Sequence, residues 1–179
     1  MGNNSKRNIF TVLGMHRSGT SAFTRFINLL GIPLSDDLLG ESPHNLTGHW
    51  ESKAIYSFNN KLLSSVGCDW TTLKSLESEC KSFGSDKQLV KQAIDLIERE
   101  RKGNKSFAIK DPRMCILFPF WKGVLEKNNF NIFVLVPLRN PSEVAMSLKS
   151  RNNISYYEGL HLWMRHVLDS EYYSREMNR

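Results

Sequence analysis

The sequence predicts an α/β protein with a central parallel sheet flanked by helices. Three short apolar segments, residues 9–13, 106–109 and 131–138, are separated by longer stretches in which apolar residues recur at helical spacing. The third segment, NIFVLVPL, is nearly all apolar, which is typical of a parallel strand covered on both faces. Ligands of parallel sheets bind at the carboxyl ends of the strands. The loops that follow the three strands are therefore the expected functional loops.

The predicted helices have recognisable end signals. Ser18 can cap the first helix, which Gly31 and Pro33 terminate. Asp86 is the candidate cap of a helix over 87–101, whereas the polar stretch before it has no predicted element. Two further helices are predicted at about 51–66 and 116–127. Another begins at Asn140-Pro141 and runs to about Arg151. The last helix starts near Ser155, and its predicted inward residues are Leu160, Trp163, Met164, Val167 and Leu168.

Length and composition indicate one globular domain. With 179 residues, 40% of them hydrophobic and 23% charged, the chain can bury a core and is too apolar for a disordered segment. No apolar run approaches the roughly 18 residues of a membrane-spanning helix, and the N-terminus lacks the apolar core of a secretory signal. Cys68, Cys80 and Cys115 lie far apart, which argues against a disulfide framework or a zinc cluster. We therefore expect a cytoplasmic protein without a metal site.

The net charge of +6 is unevenly distributed along the chain. Residues 1–100 carry 11 basic and 11 acidic side chains, whereas residues 101–179 carry 13 basic and 7 acidic ones. Such a bias favours an anionic ligand, polymer or surface. A solvated basic face is the alternative interpretation.

The loop after the first apolar segment runs from Gly14 to Ser21 as GMHRSGTS, in the frame G-x-x-x-x-G-T-S. This frame matches the phosphate loop of P-loop proteins, except that Thr20 replaces their lysine. Its glycines allow a tight turn whose N–H groups converge where a helix begins, and an anion is favoured there. Arg17 can supply the cation. The loop and the strand–helix alternation together predict a three-layer P-loop-type fold; a turn without ligand is the alternative.

The missing lysine bears on the chemistry. Phosphoryl transfer from ATP uses that lysine together with a magnesium ion held by a hydroxyl and a strand-end aspartate. Asp111 is the candidate aspartate here, but Lys110 interrupts the second strand just before it. An ordinary nucleotide kinase or NTPase therefore remains an alternative.

The loop after the third strand offers a second anion site. Arg139 follows the strand, and Ser147 lies eight residues later on the helix that Asn140 caps. An arginine fork suits phosphate oxygens, so the two side chains could bind one phosphate together. A solvated or ion-paired Arg139 is the alternative.

These motifs resemble the sulfotransferases that use 3′-phosphoadenosine 5′-phosphosulfate (PAPS). GMHRSGTS is similar to their 5′-phosphosulfate loop, and RNPSEVAMS to their 3′-phosphate motif, in the same order along the chain. The segments Gly48–Glu51 (GHWE) and Lys110–Arg113 (KDPR) are similar to bacterial members that modify carbohydrates. The resemblance extends from about residue 8 to 170 and implies PAPS as co-substrate, no metal, and no nucleic acid as partner.

The resemblance also implies the roles of individual residues. The 5′-phosphosulfate end would be bound by His16, Arg17, Ser18, Gly19, Thr20 and Ser21, with Arg17 neutralising the leaving group, and Arg139 and Ser147 would bind the 3′-phosphate. Transfer needs a general base for the acceptor hydroxyl. Glu51 is the preferred candidate and His49 the second, while Asp111 and His16 remain possible. Lys110 and Arg113 either contact an anion or pair with Asp111 and Glu51.

Family members extend further at the C-terminus, so we expect a single sulfotransferase-like domain over 1–179 with an incomplete acceptor site. The expected function is transfer of a sulfuryl group from PAPS to a hydroxyl of a carbohydrate or a related small acceptor. A non-catalytic module that binds nucleotide or an anionic polymer is a further alternative.

Overall fold

The computed structural model describes residues 7–43 and 45–179 and contains three strands and seven helices in that part of the chain. In chain order they are β1 (Arg7–Val12), α1 (Thr20–Leu29), α2 (Lys53–Ser65), α3 (Glu77–Ser85), α4 (Lys87–Arg101), β2 (Ser106–Lys110), α5 (Met114–Lys127), β3 (Phe130–Leu135), α6 (Pro141–Asn152) and α7 (Tyr156–Ser174). Within the described residues, no helix is long and apolar enough to cross a membrane.

The three strands form one small open parallel sheet in the order β2-β1-β3. Val12, the last residue of β1, pairs with Lys110 on one side and with Leu135 on the other. The prediction of an α/β protein with a parallel sheet is thus confirmed. Since parallel strands end at the same edge, the register brings the loops that follow all three strands together.

Apolar side chains cover both faces of the sheet. On one face, Ile9 and Ile132 belong to a large cluster that includes Trp121 of α5 and residues of α2, α3 and α4. On the other face, Val12 packs with Ile27 of α1 and with residues of β2 and β3. Burial on two faces explains why the third strand is so apolar in sequence.

Helix α3 was not predicted, because its segment is dominated by charged and small residues. The helix buries only Cys80 and Phe83, and no side chain caps its first turn. The buried pair lies three residues apart, on one face of the helix, where it packs into the large cluster. Tertiary packing therefore stabilises a helix that the sequence pattern does not reveal.

Two predicted boundaries were wrong. Ser18 does not cap α1, whose N-cap is Gly19 with no side-chain hydrogen bond. Strand β3 ends at Leu135 and not at residue 138, since Pro137 has no N–H to donate to a neighbouring strand. The predicted caps Asp86 and Asn140 are confirmed by their hydrogen bonds to the first turns of α4 and α6. The predicted start of α7 near Ser155 is also confirmed, and the Ser155 side chain caps this helix.

The predicted inner face of α7 was wrong at two of its five positions, whereas Leu160, Trp163 and Val167 are partly buried. The residues that are buried are Gly159, Leu162, His166, Asp169, Ser170 and Ser174, whereas Met164 and Leu168 are 48% and 57% exposed. A Cβ on Gly159 would lie 2.9 Å from the Ala145 Cα of α6, so the two helices pack closely at this glycine. This contact sets the rotation of α7, and the apolar pattern of the helix does not.

Candidate functional site

The chain turns sharply between β1 and α1. A Cβ on Gly14 would lie 2.6 Å from the Thr20 Cγ2, so any other residue here would displace the Thr20 side chain. Arg17 and Gly19 have positive φ angles of 70° and 80°, in the left-handed region that a non-glycine residue adopts at a cost of about 1–3 kcal/mol. Such strained residues cluster at ligand sites, which makes the conformation of Arg17 notable.

Arg17 joins the first loop to the segment after β3. Its Nε donates to the Ser147 Oγ at 2.8 Å, and its carbonyl oxygen accepts from the Arg139 Nη1 at 3.1 Å. Arg139 is exposed and forms an ion pair with Glu143 at 2.8 Å. The structure therefore brings together the three residues from which the sequence predicted two phosphate sites, with Arg17 between Arg139 and Ser147.

Lys110 approaches the same loop from the end of β2. Its Nζ lies 3.2 Å from the Ser21 Oγ, 2.8 Å from the His49 carbonyl oxygen and 2.6 Å from the Glu51 Oε1. Thr20 stands where a P-loop has its lysine, and Lys110 brings an ammonium group next to that position from the neighbouring strand. The prediction that Lys110 interrupts the second strand was wrong, because Lys110 is the last residue of β2. The predicted alternative in which Lys110 pairs with Glu51 is confirmed.

Glu51 is a buried carboxylate that borders the cleft. It lies two residues before α2 and not within its first turn, and only 3% of its surface is exposed. Lys110 binds it directly, and the Arg113 Nη1 lies 4.0 Å from its Oε2. Burial raises the pKa of Glu51 above its ordinary value and nearby Asp111 adds to the rise, while Lys110 and Arg113 oppose it.

Asp111 serves a structural network. It is fully buried, accepts hydrogen bonds from the Asn59 side chain and from Arg113, and lines neither of the chambers described below. Asn59 in turn accepts from the Trp121 indole at 2.8 Å. This network anchors the start of α5 to the core.

Two histidines with lowered pKa values border the cleft. Burial, followed by the charges of Arg113 and Arg151, holds the pKa of His16 well below its ordinary value. Burial and the charges of Lys110 and Arg151 also lower the pKa of His49. The His16 Nε2 is buried without a hydrogen-bond partner in the described part of the chain, and its ring packs edge-on against Trp70 at 4.6 Å.

Two adjoining chambers open at this edge of the sheet. The first, here called the loop chamber, has a volume of about 240 Å³ and is bounded by the turn before α1, Lys110 and Arg139. The second, the Trp70 chamber, has a volume of about 420 Å³ and includes Tyr56 and Arg113 in its wall. The residues that border both chambers are His16, His49, Glu51 and Arg151.

Arg151 is a cleft residue that sequence analysis missed. It lies on α6 one helical turn after Ser147, so the i, i+4 spacing from a candidate site residue could have identified it. Its side chain is partly buried, and its Nε donates to the Asn152 Oδ1 at 2.6 Å. No described carboxylate lies within ion-pair distance of it.

The chain matches none of the family models compared with it, and no curated protein matches it.

In the described residues, no three side chains of His, Cys, Asp or Glu are grouped so as to hold a metal ion. The geometry supports binding of an oxyanion in the loop chamber among the cations Arg17, Lys110 and Arg139, beside a buried carboxylate.

Proposed function

We propose that this protein is a PAPS-dependent sulfotransferase with a three-layer P-loop-type fold, which transfers a sulfuryl group to a hydroxyl of a carbohydrate or related small acceptor. One observation carries the proposal. Arg17 of the glycine-containing turn contacts both Ser147 and Arg139, residues of the separate segment that resembles the 3′-phosphate motif. A nucleotide with phosphates at both ends of its ribose requires two such segments side by side.

The loop chamber supports nucleotide binding through charge and hydroxyl groups. Arg17, Lys110 and Ser21 would bind the 5′-phosphosulfate end, with His16, Gly19 and Thr20 of the chamber wall around it. Ser18 of the same turn is buried and would contribute from behind this wall. Arg139 and Ser147 would bind the 3′-phosphate after Arg17 has turned from Ser147 toward the transferred group. Arg17 and Lys110 would then stabilise the negative charge that develops on the leaving oxygen, which is the main contribution that such a site makes to the rate.

Glu51 is the proposed general base. The acceptor hydroxyl would lose its proton to Glu51 as its oxygen bonds to sulfur, while the bond from sulfur to the 5′-phosphate oxygen breaks and leaves its electron pair on that oxygen. A base works best when its pKa is close to the working pH. Burial moves the pKa of Glu51 in that direction, whereas the pKa values of His16 and His49 move away from it.

A nucleotide kinase is the second candidate, because Lys110 lies beside the loop where a P-loop lysine would act. Against it, the strand-end Asp111 is already bound by Asn59 and Arg113 and does not line the loop chamber.

Calorimetric titration separates the candidates. Adenosine 3′,5′-bisphosphate without metal and ATP with magnesium are titrated into the protein at the same salt concentration. Tighter binding of the bisphosphate is expected for a sulfotransferase, whereas tighter binding of magnesium-ATP would support the kinase. Failure of both nucleotides to bind would contradict the proposed function.

A further inference from the structure

We infer that the Trp70 chamber binds an acceptor that itself carries an oxyanion group, and that Arg151 binds this group. The inference rests on the proposed function and extends it to the class of acceptor. It identifies Arg151 as a residue that determines specificity for the acceptor. The anion of the acceptor and the phosphates of the nucleotide would then bind to different side chains.

The two arginines of the Trp70 chamber differ in their partners. Arg113 is held by Asp111 at 2.9 Å and by Asn60 at 2.7 Å, and its guanidinium lies over the Tyr56 ring at 4.4 Å. Arg151 has only the neutral Asn152 amide as a hydrogen-bond partner among residues 7–43 and 45–179. The charge of Arg113 is therefore balanced within the protein, and the charge of Arg151 is not.

The surroundings of Arg151 make an anion favourable. Burial lowers the pKa of Arg151, as do the charges of Arg17 and Arg113, and only Glu51 opposes them. Glu51 is already bound to Lys110 at 2.6 Å. A partly buried guanidinium among other cations raises the free energy of the site, and an oxyanion placed against it would lower that free energy.

The remaining wall of the chamber suits a ring with hydroxyl groups. Trp70 offers an aromatic surface, and the His16 Nε2 beside it has no hydrogen-bond partner among the described residues. Glu41, the other carboxylate of this wall, is exposed to solvent. An acceptor with its anion on Arg151 would lie against Trp70 with a hydroxyl near Glu51, the proposed base.

Calorimetry on the PAPS-saturated protein tests the inference. PAPS fills the position of the transferred group, so an added anion must bind elsewhere. The probes are inorganic sulfate, for an ester anion, and the pair methyl β-D-glucuronide and methyl β-D-glucoside, which differ in one carboxylate. The variants are Arg151→Gln, the charge-retaining Arg151→Lys, and Lys149→Gln as a control, since Lys149 is exposed on the same helix. Chloride keeps the ionic strength constant.

We expect sulfate, glucuronide or both to bind the PAPS-saturated wild type and the Lys149→Gln variant, and to bind Arg151→Gln about tenfold more weakly. Arg151→Lys should bind with intermediate affinity, and all variants should bind PAPS as the wild type does. Binding of sulfate would indicate an acceptor that bears a sulfate ester, and binding of the glucuronide would indicate one that bears a carboxylate.

Two results would overturn the inference. In the first, neither anion binds the wild type saturably, or the anions bind Arg151→Gln as tightly as they bind the wild type. In the second, Arg151→Gln weakens PAPS itself, because Arg151 would then belong to the nucleotide site. Failure of the wild type to bind PAPS at the first step would instead contradict the proposed function, so the two failures are distinguishable.

Discussion

Two clusters of buried charges differ in what lies beside them. The cleft cluster pairs two cations with two carboxylates at the end of the sheet, and consists of Lys110, Arg113, Glu51 and Asp111. The helix cluster lies along α7 and consists of Arg165, His166 and Asp169. Burial shifts pKa values in both, for Glu51 in the first and for His166 and Asp169 in the second.

The comparison shows that a shifted pKa does not by itself identify a functional site. Glu51 borders two chambers together with other polar and charged side chains, whereas the helix cluster borders neither chamber. Perturbed groups mark a site only where a ligand can reach them. The helix cluster should therefore affect stability alone, and the cleft cluster should affect binding and transfer as well.

Removal of one charge from the buried Asp111–Arg113 pair should have the largest effect. Asp111→Asn leaves the Arg113 charge buried without its closest charged partner, which typically costs about 3–5 kcal/mol of stability. Chemical denaturation measures the loss. Glu143→Gln is the control, since Glu143 and Arg139 form an exposed pair worth about 0–1 kcal/mol. Equal losses in the two variants would show that burial of the first pair contributes nothing.

Arg17→Ala should reduce sulfuryl transfer from PAPS by about 100-fold or more, because removal of one fixed group that stabilises developing charge has effects of this size. The thermal unfolding midpoint should change little, since Arg17 is only partly buried and belongs to none of the apolar clusters. Transfer to a panel of carbohydrate acceptors measures the effect. The Arg175→Ala variant, which removes an exposed arginine of the α7 end, serves as control. Near-normal turnover of Arg17→Ala would refute the role of Arg17.

In the helix cluster, two groups oppose each other between about pH 4 and 6. Burial raises the pKa of Asp169 from 3.8 to about 6 although Arg165 lies 2.7 Å away. Its protonation thus stabilises the fold below pH 4, and this contribution is lost as the pH rises to about 6. Burial lowers the pKa of His166 from 6.5 to about 4, so its contribution is present above pH 6.5 and is lost as the pH falls to about 4.

Asp169→Asn should remove the first contribution and keep the second. The stability of the variant relative to wild type should then rise between pH 4 and pH 6 by on the order of 2 kcal/mol. Denaturation at a series of pH values measures this difference. Nucleotide affinity should not change at any pH. A constant stability difference across the range would contradict the raised pKa of Asp169.

Arg139→Ala should weaken adenosine 3′,5′-bisphosphate by about tenfold and leave adenosine 5′-monophosphate nearly unaffected, since a phosphate–arginine contact contributes about 1.5–3 kcal/mol when formed. Calorimetry with both nucleotides gives the ratio. The exposed Arg139 has no role in the core, so the fold should be unaffected. Equal weakening of the two nucleotides would show that Arg139 does not bind the 3′-phosphate.

The sequence predicts some parts of this molecule well, for reasons that the structure explains. The three strands, the turn at Gly14 and the cap at Asn140 depend on neighbouring residues, and local patterns reveal them. The position of Lys110 beside Ser21 depends on the register of β1 with β2, which no local pattern contains. The rotation of α7 likewise depends on the contact of Gly159 with another helix.

The smallest predicted effects compare two buried hydroxyls. The Thr11 Oγ1 in β1 and the Ser18 Oγ in the turn are both buried without a hydrogen-bond partner in the described residues. Replacement of such a group by an apolar one of similar shape is nearly neutral or stabilising, by about 1 kcal/mol. Thr11→Val and Ser18→Ala should therefore both raise the free energy of unfolding slightly in denaturant titrations.

Binding should separate the two variants, because the Ser18 hydroxyl is proposed to donate to the nucleotide and the Thr11 hydroxyl is not. Ser18→Ala should weaken adenosine 3′,5′-bisphosphate by about fivefold, the size of a hydrogen bond worth about 1 kcal/mol, while Thr11→Val leaves its affinity unchanged. The unpartnered hydroxyls of Thr11 and Ser18 would then both lower stability, but only the Ser18 hydroxyl would bind the nucleotide. If Ser18→Ala binds the bisphosphate as tightly as the wild type, the Ser18 hydroxyl has no role in the nucleotide site.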